Sequence, residues 1–318
     1  MKRITKTLAM VLTVVIFGIM VLGSGSDSSA ETKAVVAEEE KNEAKADAGT
    51  EASMEATTEA TTETTTEAPV AAISIEEQVL FEADGVTATA KEWTTDSIWG
   101  DGIKILLENN GDKDIGISCT EVIVNDYMTT SLFSETVAAG KKSNCTLNLS
   151  RTELKAAGID TVGKIEIYFH TFDTSTYMTL TNIDCVTVKT SAFDSMEIKK
   201  MDDGQELYNE NGIRIVGKTV DENSFWGAGI LLFIENTSDK NVCVQAEDLS
   251  VNGYMMTPLF SSTVFSGKMA LSEITLLSNE LEENGIKSID DVELKFHIFD
   301  ADSYNTIKDT DVISFSAK

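Results

Sequence analysis

Two histidines, a repeated tryptophan and a group of loop aspartates are the residues of this chain that could do chemistry. His170 and His297 are its entire histidine complement and lie 127 residues apart, in FHTFD and FHIFD. An imidazole can serve as a general base or a zinc ligand, but zinc needs three or four ligands and a nucleophilic triad needs a serine or cysteine beside it. The sequence holds no H-E-x-x-H, G-x-S-x-G, C-x-x-C or phosphate-cradling glycine loop to complete such a site. Each histidine also reads as a cross-strand neighbour of a strand-face glutamate, Glu166 or Glu293. Trp99 and Trp226 are each followed by glycine and stand just ahead of a strand, where an indole either closes the end of a core or offers a stacking platform to a sugar ring or a peptide side chain. Tyr127, Tyr254, Tyr177 and Tyr304 invite the same two readings. Asp173, Asp300, Asp302, Asp309 and Asp311 are oxygen ligands of the kind calcium prefers, in a spacing that is not an EF-hand. Ser175 and Asn182 replace acids in the earlier copy, so Asp300 and Asp302 are the candidate metal residues, with calcium the one cofactor to consider; a solvated acidic rim is the alternative.

The cysteines are Cys119, Cys145, Cys185 and Cys243, and no two are separated by the repeat offset, which excludes a disulfide framework shared by both copies. Cys119 and Cys145 could meet across neighbouring strands as a bridge or remain buried thiols.

The elements that must position these residues are duplicated. WGDGIKILLEN at 99–109 returns as WGAGILLFIEN at 226–236, and the same offset aligns 78–180 with 205–307 without a gap and with roughly a third of positions identical. Ile103, Ile105 and Leu107, like Ile230, Leu232 and Ile234, alternate with their neighbours as one inward face of a strand. Asn125-Asp126 and Asn252-Gly253 suit a tight hairpin turn, because these residues tolerate positive φ. Ser150, and Ser278 or Asn279, each open a short helix that stops at Gly158 or Gly285. Ile165, Ile167 and Phe169 point to one side of a late strand, and Glu166, Tyr168, His170 and Phe172 to the other. Many short strands with regular turns predict an all-β chain: two tandem immunoglobulin-like β-sandwich domains, each with one short helix, at 73–192 and 193–318. A small barrel is the other architecture this pattern allows.

WGxGI-x4-EN, SDKN or GDKD, VNGYM or VNDYM, a Gly-Lys turn and FHxFDxxxY occur in that order in both copies. In this combination the chain resembles secreted proteins and lipoproteins of Gram-positive bacteria built from tandem immunoglobulin-like repeats. The resemblance covers about three quarters of the chain. It implies an extracellular sandwich and, since no activity attaches to that family, no catalytic residue.

The first 30 residues carry Lys2, Arg3 and Lys6, then an apolar run, then small residues around Ser28 and Ala30, the pattern of a secretory signal. The apolar run is shorter than the roughly twenty residues that span a bilayer. Val21-Leu22-Gly23-Ser24 has the form of a lipoprotein box with serine in place of the lipidated cysteine. Residues 31–72 are an acidic Ala/Glu/Thr-rich linker, too poor in large apolar side chains to offset the entropy of ordering. A formal charge of -28 sets aside nucleic acid and anionic membranes as partners. The chain is therefore expected to touch a membrane through its signal peptide alone, before cleavage. It is further expected to be a non-enzymatic binding or adhesion module, secreted or cell-surface associated, whose partner is an extracellular protein or a cell-wall glycan. A passive envelope spacer, a calcium-dependent adhesin and an unrecognised hydrolase are the alternatives. A hydrolase predicts a deep cleft between the copies; an adhesin predicts an exposed apolar patch or strand edge.

Overall fold

The computed structural model describes residues 72–96, 100–224 and 227–316. The expected signal peptide, all but the last residue of the expected linker, Trp99 and Trp226 lie outside the described residues.

Alternating apolar residues fold the first repeat into two facing antiparallel sheets. One contains β1 (Gln78–Ala83), β2 (Val86–Asp96), β3 (Gly100–Asn109) and β7 (Lys142–Asn148), in the spatial order β1-β2-β3-β7. The other is centred on β4 (Ile115–Val124) and β8 (Lys164–Asp173). The short strands β5 (Tyr127–Thr129) and β6 (Ser134–Val137) flank β4, and β9 (Thr179–Asn182) and β10 (Val186–Lys189) flank β8. Lettered as immunoglobulin strands, β2, β3 and β7 are A, B and E; β4, β8 and β9/β10 are C, F and G; and β5/β6 take the place of C′. The chain is all-β with an immunoglobulin-like sandwich, as its turn spacing predicts. Ile103, Ile105 and Leu107 from β3 meet Ile117, Val122, Val124, Ile165, Ile167 and Phe169 from the opposite sheet in one buried cluster. Truncating any of these large side chains to alanine costs about 2–5 kcal/mol.

The second repeat copies this order. One sheet contains β11 (Gln205–Glu210), β12 (Ile213–Ser224), β13 (Gly227–Asn236) and β17 (Lys268–Leu277). The other contains β14 (Val242–Val251) and β18 (Asp291–Asp300), with β15 (Tyr254–Met255), β16 (Ser261–Val264), β19 (Thr306–Asp309) and β20 (Ile313–Ser316) beside them. The helices are α1 (Arg151–Ala156) and α2 (Ser278–Glu283). Ser150 caps α1 by accepting from the Glu153 N–H. Ser278 lies within α2 rather than capping it, because Leu277 stands at the position of Ser150 and offers no side-chain oxygen.

Several motif residues are explained by the backbone they satisfy. Asn109 Nδ2 donates to the carbonyls of Lys113 (2.7 Å) and Val137 (2.9 Å), and Asn236 Nδ2 does the same for Lys240 (2.7 Å) and Val264 (2.8 Å). Asn125 and Asn252 start their hairpin turns at φ 46° and 49°. Asn125 Oδ1 accepts from the Gly163 and Lys164 N–H groups, as Asn252 Oδ1 does from Asp290 and Asp291. Glu153 and Glu280 each accept from a backbone N–H, of Thr130 and Thr257. Buried backbone donors and acceptors are costly to leave unpaired, so these side chains are part of the fold.

The two sandwiches share a sheet. β5 of the first repeat lies parallel to β17 of the second, with Tyr127 beside Met269, and the result is a ten-stranded sheet crossing both repeats. Met269 N–H donates to the Asp126 carbonyl at 2.9 Å. The outward residues Val216, Phe233 and Met269 of the second repeat are buried in the first repeat's core cluster. Tyr127 lies edge-on to Phe233 at 6.5 Å and Tyr168 edge-on to Phe265 at 5.0 Å. Lys268 Nζ sits 2.6 Å from Asp126 and 2.5 Å from Glu166, both of which also bind Lys164. Burial opposes ionisation of Asp126, but the hydrogen bonds from Lys164 and Lys268 outweigh it and hold the carboxyl below its ordinary value.

All four cysteines are free thiols. Burial raises Cys119 strongly, with Cys145 close enough to add to the shift, and pushes Cys145 up to about 12. Of the two readings for this pair, the structure adopts the unbridged one.

Candidate binding surface

With the turn-locking and capping residues accounted for, the residues identical in both repeats and at least partly open to solvent include one cluster: the half-buried His170 and Phe172 with the exposed Tyr177, repeated as His297, Phe299 and Tyr304. The outward face of β8 positions the first set. Its Ile165, Ile167 and Phe169 are buried in the core, so Glu166, Tyr168, His170 and Phe172 must face outward. Glu166 and Tyr168 are covered at the joint, whereas His170 and Phe172 continue along the same face to its open end. The ring of Phe172 lies over Gly116, where a Cβ would come within 2.2 Å of it.

Tyr177 completes the surface from the β8–β9 turn. The Asp173 carbonyl accepts from Tyr177 N–H at 2.8 Å, and Asp173 Oδ1 accepts from the N–H and hydroxyl groups of both Ser175 and Thr176. Those bonds, led by the Ser175 hydroxyl, hold the Asp173 carboxyl down at about 2. Tyr177 stands at φ 58° and Tyr304 at φ 59°, a left-handed conformation that costs a side-chain-bearing residue about 1–2 kcal/mol. In return each ring is held flat against its phenylalanine. Phe172 and Tyr177 stack with centroids 6.1 Å apart at 21°, and Phe299 and Tyr304 at 6.2 Å and 23°. His170 and His297 extend the rows at 5.9 Å and 5.1 Å from their phenylalanines. The tyrosines remain 79% and 78% exposed, so their outer faces are open to solvent.

The histidines differ in their partners. His297 Nδ1 pairs with Asp309 Oδ1 at 2.5 Å, whereas Asn182 stands across from His170. His170 Nδ1 is buried without a hydrogen-bond partner among the described residues, and burial lowers its pKa. His170 is thus held as a neutral imidazole near neutral pH.

The aspartates fill turn roles. Asp300 Oδ1 accepts from the Asp302 and Ser303 N–H groups, and its other oxygen lies 3.2 Å from Lys240 Nζ. Asp302 accepts from Asn241 at 3.4 Å. The described residues contain no group of three or more His, Cys, Asp or Glu arranged to hold a metal. Asp300 and Asp302 thus each accept hydrogen bonds from protein donors. Trp99 and Trp226 lie outside the described residues; among the described residues the aromatic surface is built from Phe172, Phe299, Tyr177 and Tyr304 with the histidines. The sequence signals were the identical FHxFDxxxY strings, but φ > 0 at a tyrosine has no signature in spacing.

A cleft of about 540 Å³ runs beside the joint, lined by Glu121, Thr129, Glu153, Leu231, Ser272 and Glu273 among others. Burial pushes Glu121 up to about 7. Glu153 is committed to the Thr130 N–H.

No protein-family model matches the chain, and no curated protein matches it in sequence. Among solved structures it is similar to the YadV chaperone, with 10% identity and a TM-score of 0.22 over 66% of this chain and 90% of that one. It is also similar to the Salmonella enterica SafA pilin in complex with the SafB chaperone, with 12% identity and a TM-score of 0.18 over 68% of this chain and 88% of that one. A protein of unknown function from Porphyromonas gingivalis W83 matches with 9% identity and a TM-score of 0.19 over 68% and 89% of the respective chains. At these TM-scores the likeness says nothing of ligand or partner.

Proposed function

We propose that this chain is a secreted, non-enzymatic binding module of a bacterial surface, and that its two His-Phe-Tyr surfaces bind the sugar rings of a neutral cell-wall glycan. The observation that carries the reading is that both repeats hold an exposed tyrosine in a disfavoured backbone conformation, stacked on a phenylalanine. Stacking on phenylalanine offsets about 0.5–1.5 kcal/mol of a cost of about 1–2 kcal/mol, and leaves the outer face of each ring open to a ligand. An open aromatic face suits the flat C–H face of a pyranose, and the neighbouring imidazole can exchange hydrogen bonds with ring hydroxyls. The formal charge of -28 disfavours a polyanionic glycan. Two equivalent surfaces on one chain suit a polymer with repeating units, since the second contact is made at high effective concentration. Residues 1–30 would direct export and residues 31–72 would hold the repeats away from the envelope.

The test is co-sedimentation of the secreted chain with insoluble peptidoglycan and with chitin, beside Tyr177→Ala, Tyr304→Ala and the double variant. Each single variant is expected to weaken retention roughly tenfold and the double variant to abolish it. Equal retention of all four chains would overturn the reading. A hydrolase reading draws on the raised pKa of Glu121 in the cleft at the joint. It requires release of soluble sugar by the natural chain and loss of that release in Glu121→Gln.

A further inference from the structure

The joint between the repeats is heterologous: the β5 edge of the first repeat meets the β17 edge of the second. Such a contact leaves the opposite member of each pair uncovered. In the second repeat, β15 stands where β5 stands in the first, and it ends the outer edge of its sheet. Its Tyr254 and Met255 are 49% and 67% exposed, whereas Tyr127 is 1% exposed. In the first repeat, β7 stands where β17 stands in the second and ends its own sheet.

The charges around these two open edges correspond. At the covered joint, Asp126 and Glu166 face Lys164 and Lys268. At the open β15 edge the corresponding positions are Gly253, Glu293 and Asp291, and they line a cleft of about 370 Å³. That cleft is the counterpart of the place where the Lys268 amine sits in the first repeat. Neither Asp291 nor Glu293 has a cationic partner among the described residues. On the open β7 edge, Lys141 stands at the position of Lys268 and is exposed, while Lys142 beside it pairs with Glu108. Two acids on one edge therefore match Lys141 on the other, as Asp126 and Glu166 match Lys268 in the joint the chain makes with itself. Leu106 stands at the position of Phe233 and would receive the Tyr254 ring.

We propose that the β15 edge of one chain docks on the β7 edge of a second copy of this chain, head to tail, with Glu293 and Asp291 receiving Lys141 of the neighbour. A heterologous contact of this kind leaves one edge open at each end and extends into an open row. Lys142 replaces Met269 and Asn144 replaces Leu271, so the contact between chains is more polar than the internal joint. It is accordingly weaker and sensitive to salt.

The test is sedimentation velocity of the secreted chain over a concentration series in low and high salt, with Glu293→Lys, Lys141→Glu and the double reversal. Mean size is expected to rise with concentration without reaching a plateau, and to fall in high salt. Each single reversal is expected to weaken association on the order of tenfold or more, and the double reversal to restore it. A mixture of the two single variants should associate where neither does alone, because the reversed edge of each is complementary to the reversed edge of the other and the two natural edges still match. Lys141 and Glu293 are exposed, so unchanged circular dichroism melts verify folding. A wild-type chain that stays monomeric at millimolar concentration in low salt, or association indifferent to both reversals, would overturn the proposal.

Discussion

Tyr127 and Tyr254 occupy the same position of the repeat and have opposite surroundings. The Tyr127 hydroxyl donates to the Lys199 carbonyl at 2.6 Å and accepts from the Met201 N–H at 3.0 Å, tying the connector between the repeats to the first hairpin. Tyr254 is about half exposed. Removing the Tyr127 hydroxyl strips a partner from two backbone groups, so Tyr127→Phe is expected to cost about 1–3 kcal/mol in urea unfolding. Tyr254→Phe should stay within about 0.5 kcal/mol. Equal effects would mean that the connector is not anchored through Tyr127.

Lys268 is the cation that the second repeat places between Asp126 and Glu166 of the first. Lys268→Met keeps the aliphatic stem and leaves those acids sharing Lys164, at a cost of about 1–3 kcal/mol. The depressed Asp126 pKa contributes stability that is present above its unfolded value of 3.8 and lost as pH falls through its folded value. Lys268→Met should therefore lose less stability on acidification than the natural chain. Calorimetry is expected to show one unfolding transition for the natural chain and two for Lys268→Met, one for each repeat.

Both sandwiches follow from the alternation of Ile103, Ile105 and Leu107 and its echo at Ile230, Leu232 and Ile234, because a strand with one covered face must have period two. The joint was less legible, although β13 carried its mark. Its ILLFI run also places Leu231 and Phe233 on the outward face, the composition of a strand covered on both sides, where β3 has Lys104 and Leu106. A repeat offset aligns two domains but does not say which edges meet. His170 and His297 could be placed on an outer face from sequence, yet whether Tyr177 and Tyr304 stacked on the neighbouring Phe172 and Phe299 depended on turns closed by Asp173 and Asp300.

Glu121 lies at the cleft beside the joint, with burial lifting it from 4.5 to about 7. Between those values the folded state binds the proton that the unfolded state has released, so its contribution to stability falls as pH rises. The loss above pH 7 amounts to about 3 kcal/mol at most. Glu121→Gln cannot ionise, and is expected to be more stable than the natural chain at pH 8 while matching it near pH 4. Parallel stability curves for the two chains from pH 4 to 8 would show that Glu121 is solvated in solution.

Tyr177 and Tyr304 separate the cost of the turn from the value of the ring. At φ 58° and 59° glycine is at ease and alanine is not, so Tyr177→Gly should be about 1 kcal/mol more stable than Tyr177→Ala. The same order should hold at Tyr304, because Asp173 and Asp300 shape the two turns alike. Stacking on phenylalanine returns about 0.5–1.5 kcal/mol to the natural chain, which places Tyr177→Gly close to it in thermal unfolding. Glycan retention should follow a different order, with the glycine and alanine variants equally weak. If retention instead tracked stability, the aromatic face would be serving the fold and not a ligand.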